Sequence, residues 1–140
     1  KNMSRDLGLE EYVWFTGFIS EEDKIRYLSS MDICLDPNPS NPLNDVSTWI
    51  KVMEYMALGK PTISFDLKET RFTAREAAVY VQPNDVEEYA RAILKLMDDD
   101  KLREELGAIG KKRVEEELNW SIASRNLLMA YNKLFAIEKQ

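Results

Sequence analysis

The sequence predicts an α/β fold, a Rossmann-like parallel sheet with helices on both faces. Three observations carry this. Short apolar runs alternate with longer stretches of helical period along the 140 residues, and strands that alternate with helices pair in parallel through right-handed crossovers. The runs are almost continuously apolar, as strands covered on both faces must be. Helix stops also fall where strands begin: "LGKP" places Gly59 as a left-handed cap and Pro61 as a barrier just before "TISFD".

In chain order, "YVWFTG" (Tyr12–Gly17) reads as a first strand ended by glycine. Ser20 opens "SEED", a capping-box-like start with Asp23 where Glu is usual, and a helix runs to about Ser30. "DICLDP" (Asp32–Pro37) is the second strand. A loop with three prolines, "PNPSNPLND", leads into a helix over about Thr48–Leu58, for which Ser47 is the N-cap. "TISFD" (Thr62–Asp66) is the third strand, a short helix lies near Phe72–Glu76, and "AVYVQP" (Ala78–Pro83) is the fourth strand. Helices are expected over Val86–Met97, Lys101–Leu118 and Ile122–Ile137, the last capped by Ser121. Trp14, Phe15, Tyr80, Trp120 and Tyr131 read as packing residues, and the runs "DDD" and "EEE" as solvated helix edges.

Composition excludes several functions. The chain is 44% hydrophobic, enough for a core, and its formal net charge of −6 argues against a duplex nucleic-acid partner. There is no histidine, which removes the usual general base, the commonest metal ligand and every Ser-His or Cys-His dyad. The single cysteine, Cys34, excludes an internal disulfide and a cysteine metal cluster, and its place in "ICL" suggests a buried thiol. No metal site is expected. No apolar run approaches a membrane span and no signal peptide is visible; the expected location is cytoplasmic, the inner face of a membrane included. The start "KNMSRDLGLEEY" lacks an initiator methionine and reads as mid-protein.

The helix after the proline-rich loop holds the candidate site. At about 100° per residue, Trp49, Val52, Met53, Met56 and Ala57 form an apolar stripe, and Ser47, Lys51 and Glu54 lie opposite. Two readings stay open. In one, Lys51 and Glu54 are an exposed i, i+3 ion pair and Ser47 is a plain N-cap. In the other, the helix starts beyond the carboxyl end of a strand, where open parallel sheets bind ligands. Its unpaired N–H groups then suit phosphate, Lys51 reaches the same phosphates, and Glu54 accepts hydrogen bonds from a ribose diol. Lys68 and Arg71, after the third strand, either meet phosphate or sugar or are loop-surface charge.

The chain resembles the C-terminal, donor-binding domain of group-1 (family 4, GT-B type) retaining glycosyltransferases. The resemblance rests on "VWFTGFIS", "MDICLDPN", "VMEYMALGKPTISFD", "AVYVQPNDVEEYARAILKLMDD" and "LNWSIASRNLLMAY", in the family's order and over nearly the whole chain. It implies that Glu54 is the family's ribose-binding glutamate, that Ser47, Thr48 and Lys51 serve the diphosphate, and that the turn Gly17, Phe18 and Ile19 meets the base through backbone groups. The family often has another glutamate eight residues earlier, on donor-sugar hydroxyls; here that position is Val46, with Asp45 one residue off.

In the family two further strands precede "VWFTG", and their loops supply an arginine and a lysine to the diphosphate. Neither strand is in this chain, and the acceptor-binding N-terminal domain is absent from it. The expectation is therefore a partial domain over 1–140, with a closing helix at about 121–138. A two-strand gap separates its first and second strands, so the first collapses onto the second or the exposed edge drives self-association. The expected function is donor binding in transfer of a sugar from a nucleoside-diphosphate sugar, with retention and without a cofactor, the isolated chain being inactive. Two alternatives stand beside it: a nucleotide-sugar epimerase of the same two-domain shape, and a non-catalytic nucleotide-binding or interaction module.

Overall fold

A computed structural model describes residues 1–137. Its sheet has three parallel strands, β1 (Cys34–Asp36), β2 (Thr62–Phe65) and β3 (Ala78–Val81), in that spatial order. Cys34 is in register with Thr62, and Thr62 with Ala78. The helices are α1 (Asn2–Asp6), α2 (Glu21–Ser30), α3 (Ile50–Ala57), α4 (Lys68–Ala74), α5 (Val86–Met97), α6 (Asp100–Arg113) and α7 (Trp120–Ile137). The last position of the expected closing helix, 138, lies outside the described residues.

All four residues of the central strand β2 are buried. Successive side chains alternate between faces, so Ile63 and Phe65 join Leu67, Val81, Tyr89, Leu96 and Leu106 in a core beneath α5 and α6. On the other face, α3 supplies Val52 and Met56 to a second core with Ala74, Ala77 and Ala78. Burying a side chain such as Met56, Ile63 or Leu96 contributes roughly 1.5–3 kcal/mol. Tyr89 joins sheet and helix: its hydroxyl donates to the Ile63 carbonyl at 2.6 Å, and its ring meets Phe65 edge-on at 4.9 Å.

The end of α3 is fastened twice. Gly59, at φ +67°, closes it in a Schellman arrangement, with Lys60 N–H on the Tyr55 carbonyl and Gly59 N–H on that of Met56, each at 2.9 Å. Helix α6 lies directly against this turn, where a Cβ on Gly107 would sit 2.1 Å from the Gly59 carbonyl oxygen. Nearby, the buried Arg113 donates to the Thr73 and Phe72 carbonyls at 2.7 and 3.0 Å and to Glu117 at 2.6 Å, satisfying the open end of α4.

The structure corrects several expectations. Tyr12–Gly17 is not a strand: it pairs with no described strand, and all six residues are exposed. Nor has it collapsed onto β1. Trp14 instead meets Tyr27 of α2 edge-on at 5.7 Å. An isolated strand leaves its N–H and C=O groups to water, and without a neighbour nothing selects the paired conformation. Trp14, Phe15, Trp120 and Tyr131 are exposed rather than core, Trp120 at 72%, because the described residues cover them only in part. On α3, Ala57 lies outside the buried stripe.

Helix boundaries shift where side chains outcompete the expected caps. Ser47 is not the N-cap of α3: its hydroxyl donates to the Leu43 carbonyl at 2.7 Å, and Trp49 holds the cap position without a side-chain bond. Asn119, not Ser121, caps α7, accepting from Ile122 N–H at 3.2 Å. Helix α4 starts at Lys68, before the expected Phe72, and α6 gives way to a π-helical turn over Val114–Leu118. Ser20 does cap α2, accepting from Asp23 N–H at 3.1 Å. Cys34 is buried, which pushes its thiol up to about 11. No helix among the described residues is long and apolar enough to cross a membrane.

Candidate functional site

With all strands parallel, their carboxyl ends share one side of the molecule, and the loop that leaves β1 there leads into α3. At the last residue of β1, Asp36 is completely buried. A carboxylate without water needs cations and donors, and three elements supply them. Lys51 of α3 places Nζ 2.8 Å from Asp36 Oδ1, Asn38 of the loop donates to the same oxygen at 2.5 Å, and Ser64 of β2 donates to Oδ2 at 3.1 Å. The Lys51 side chain remains one-third exposed, with Nζ 5.4 Å from the centre of the Trp49 ring.

Glu54 turns the other way. Its Oε1 accepts from Lys24 of α2 at 2.9 Å, and Lys24 also pairs with Glu21 at 2.7 Å. The Glu21 and Glu54 hydrogen bonds raise the lysine above its ordinary value. The i, i+3 pair between Lys51 and Glu54 is therefore not formed: Lys51 is drawn to the sheet and Glu54 to α2. Lys24 also lines two adjacent hollows. One, of about 240 Å³, includes Glu54, Ile25 and Leu28; the other, of about 250 Å³, includes Trp14, Thr16, Ile19 and Tyr27. Glu54 and Ile19 are thus brought to the two sides of one lysine. Gly17 has φ +69°, and Phe18 beside it is fully exposed.

The remaining expected residues are engaged elsewhere. Ser47 gives its hydroxyl to Leu43 and its N–H to the Asn44 carbonyl, and Thr48 donates to Glu69 at 3.1 Å. Arg71 pairs through two nitrogens with Asp66, holding that carboxyl below its usual 3.8, and its guanidinium lies 4.1 Å from the Tyr80 ring centre. Burial pushes the Tyr80 hydroxyl up to about 12. Val46, in the short turn Asn44–Val46, is exposed. Beside it Asp45 Oδ2 accepts from Ser40 at 3.2 Å, while Oδ1 is buried without a partner among the described residues. Asn84 anchors the loop, accepting from Ser40 N–H at 2.8 Å and donating to the Ser40 carbonyl at 3.3 Å.

Sequence reasoning missed Asp36, Asn38, Ser64 and Lys24. One signal was available: in "DICLDP" the charged Asp36 interrupts an apolar strand two residues after Cys34, on the same buried face. The choice of Lys24 as Glu54's partner had no such signal, because it depends on how α2 packs across α3.

A three-stranded parallel sheet with helices on both faces, and a helix that opens uncapped at its carboxyl end, defines a Rossmann-like domain. The family described as "Glycosyl transferases group 1" matches residues 1–99, and the chain belongs to that family. It is 28% identical over 122 residues to the GDP-mannose-dependent monoacylated alpha-(1-6)-phosphatidylinositol monomannoside mannosyltransferase of Corynebacterium glutamicum, covering 85% of this chain and 32% of that protein. It is 30% identical over 112 residues to the capsular polysaccharide biosynthesis glycosyltransferase CapM of Staphylococcus aureus, covering 79% and 28%. The sucrose-phosphate synthase of Thermosynechococcus elongatus superposes with a TM-score of 0.86 at 28% identity, over 97% of this chain and 33% of that one. The chain spans about a third of the length of these proteins.

Proposed function

We propose that this chain is the donor-binding part of a glycosyltransferase that moves a sugar from a nucleoside diphosphate to an acceptor with retention of configuration. The observation that carries the reading is the start of α3: no side chain caps it, it opens at the carboxyl end of the sheet, and it presents Lys51 and Glu54 within one turn. Unpaired N–H groups and an ammonium suit the diphosphate. Glu54 suits the ribose diol: Lys24 takes Oε1, and the side chain keeps a third of its surface open. Phe18 and Ile19 offer backbone groups to the base. Ser47 and Thr48 reach the diphosphate only by releasing Leu43 and Glu69, so the larger share falls to Lys51 and the helix N–H groups.

The chemistry this arrangement supports is stabilisation of charge on the leaving diphosphate and positioning of the sugar, which needs neither histidine nor an enzymic nucleophile. The acceptor side lies in a domain outside this chain, so turnover belongs to the protein that carries both. GDP-mannose, the donor in the name of one relative, is the first probe to assay. Glu54→Ala is expected to weaken GDP binding by roughly 1.5–3 kcal/mol, the worth of a hydrogen bond to a charged group, with unchanged thermal unfolding. Titration calorimetry reads the affinity, and equal binding by both proteins would remove the ribose role. Nuclear magnetic resonance of the product anomer tests retention; epimer formed without acceptor would point to an epimerase.

A further inference from the structure

We propose that Asp36 is a positioning residue that holds the Lys51 ammonium at the diphosphate position. This rests on the donor reading of the site. Asp36 is wholly buried, and its carboxylate is oriented from three elements at once: Asn38 from the loop, Ser64 from β2 and Lys51 from α3. A buried carboxylate tolerates the loss of its cation poorly, so Lys51 cannot swing away as an ordinary surface lysine does. An ammonium has three N–H donors. One meets Asp36 Oδ1, and the exposed part of the side chain leaves the others open to a ligand. The rotamer freedom a lysine normally loses on binding phosphate is thereby surrendered at folding.

The arrangement carries an electrostatic penalty, which makes the proposal decidable. A carboxylate behind the lysine repels a diphosphate. If Asp36 acted only through its charge, removing that charge would tighten binding. If it acts by holding Lys51, removing it loosens binding although the site becomes more positive. If it is merely a fold residue, its effect is the same whether or not Lys51 is present.

The test titrates GDP into the chain as wild type, Asp36→Asn, Lys51→Met and the double variant, with thermal unfolding of each. Asp36→Asn is expected to weaken GDP about tenfold, or about 1.4 kcal/mol, and to have no further effect on the Lys51→Met background. Tighter or unchanged binding in Asp36→Asn overturns the proposal, and so does an equal loss on both backgrounds. Ser64→Ala keeps the ion pair but frees one carboxylate oxygen. It is expected to weaken GDP about threefold, within one net hydrogen bond, and it decides the matter should Asp36→Asn not fold. A ligand-free arm separates this inference from the donor reading. Acetylation of Lys51 by acetic anhydride, followed by mass spectrometry, is expected to run several-fold faster in Asp36→Asn than in wild type. A wild type that takes up none of GDP, UDP and ADP sinks the donor reading; equal acetylation rates sink the tether whatever GDP does.

Discussion

Between Ile33 and Leu118 the large apolar side chains mostly face one of two cores, while in Tyr12–Phe18 and along α7 they mostly face solvent. The two kinds of region do not differ in apolar content. "YVWF" is as good a strand as "TISF", yet only the second is paired. What differs is the neighbour: β2 lies between two strands and between α3 and α5, and Tyr12–Gly17 has α2 on one side only. Local pattern proposes an element, but burial against a partner makes it, since fixing a residue's backbone costs roughly 1–2 kcal/mol that an unpaired strand does not recover.

The comparison breaks most severely at Gly107. A methyl group there would lie 2.1 Å from the Gly59 carbonyl, so α6 must move off α3 or the α3 cap must open. Gly107→Ala is expected to destabilise by about 3 kcal/mol, the upper part of the range for overpacking, as read by urea unfolding; a loss under 1 kcal/mol would show the contact to be loose. Next is Tyr89→Phe, which removes the hydrogen bond to Ile63 while keeping the ring, and should cost about 1 kcal/mol in the same measurement.

A smaller effect is expected at Arg71. Because Arg71 lowers Asp66, the pair's contribution is present above the ordinary carboxylate range and is lost as pH falls through the lowered value. The melting temperatures of wild type and Arg71→Ala should therefore differ most near neutrality and converge in acid; a constant gap would assign the effect to the stack on Tyr80. The smallest is Trp14→Ser, expected within about 0.5 kcal/mol of wild type, as for a surface site. A large loss there would place the N-terminal segment within the cooperative unit and erase the contrast between the two regions.

Much of the packed region was legible in the sequence. The parallel order, the cap at Gly59, the Ser20 start and helix α5, with both its ends, follow from periodicity and turn chemistry acting within a few residues. Lys51 and Glu54 were picked out by the same means, but their partners were not, because Asp36 and Lys24 reach them only through the packing of β1 and α2 against α3. Ser47 illustrates a second limit. Its N-cap chemistry is sound, but a serine can equally bond back to a carbonyl four residues earlier, and local sequence does not decide that competition. Gly107 shows a third. A glycine inside a helix looks like a weakness until the facing turn, 48 residues away in the chain, is known to press against it.

The parallel sheet also divides the molecule into two poles. The amino ends of the strands hold the Gly59–Gly107 contact, the Arg113 anchor and Lys60 on the Ser29 carbonyl. The carboxyl ends hold the proline-rich loop, Asp36 and Lys51. Heritable change is thereby partitioned. On the proposed reading, a substitution in the loop, such as one at Val46, would change what is recognised without touching the fastenings at the other pole.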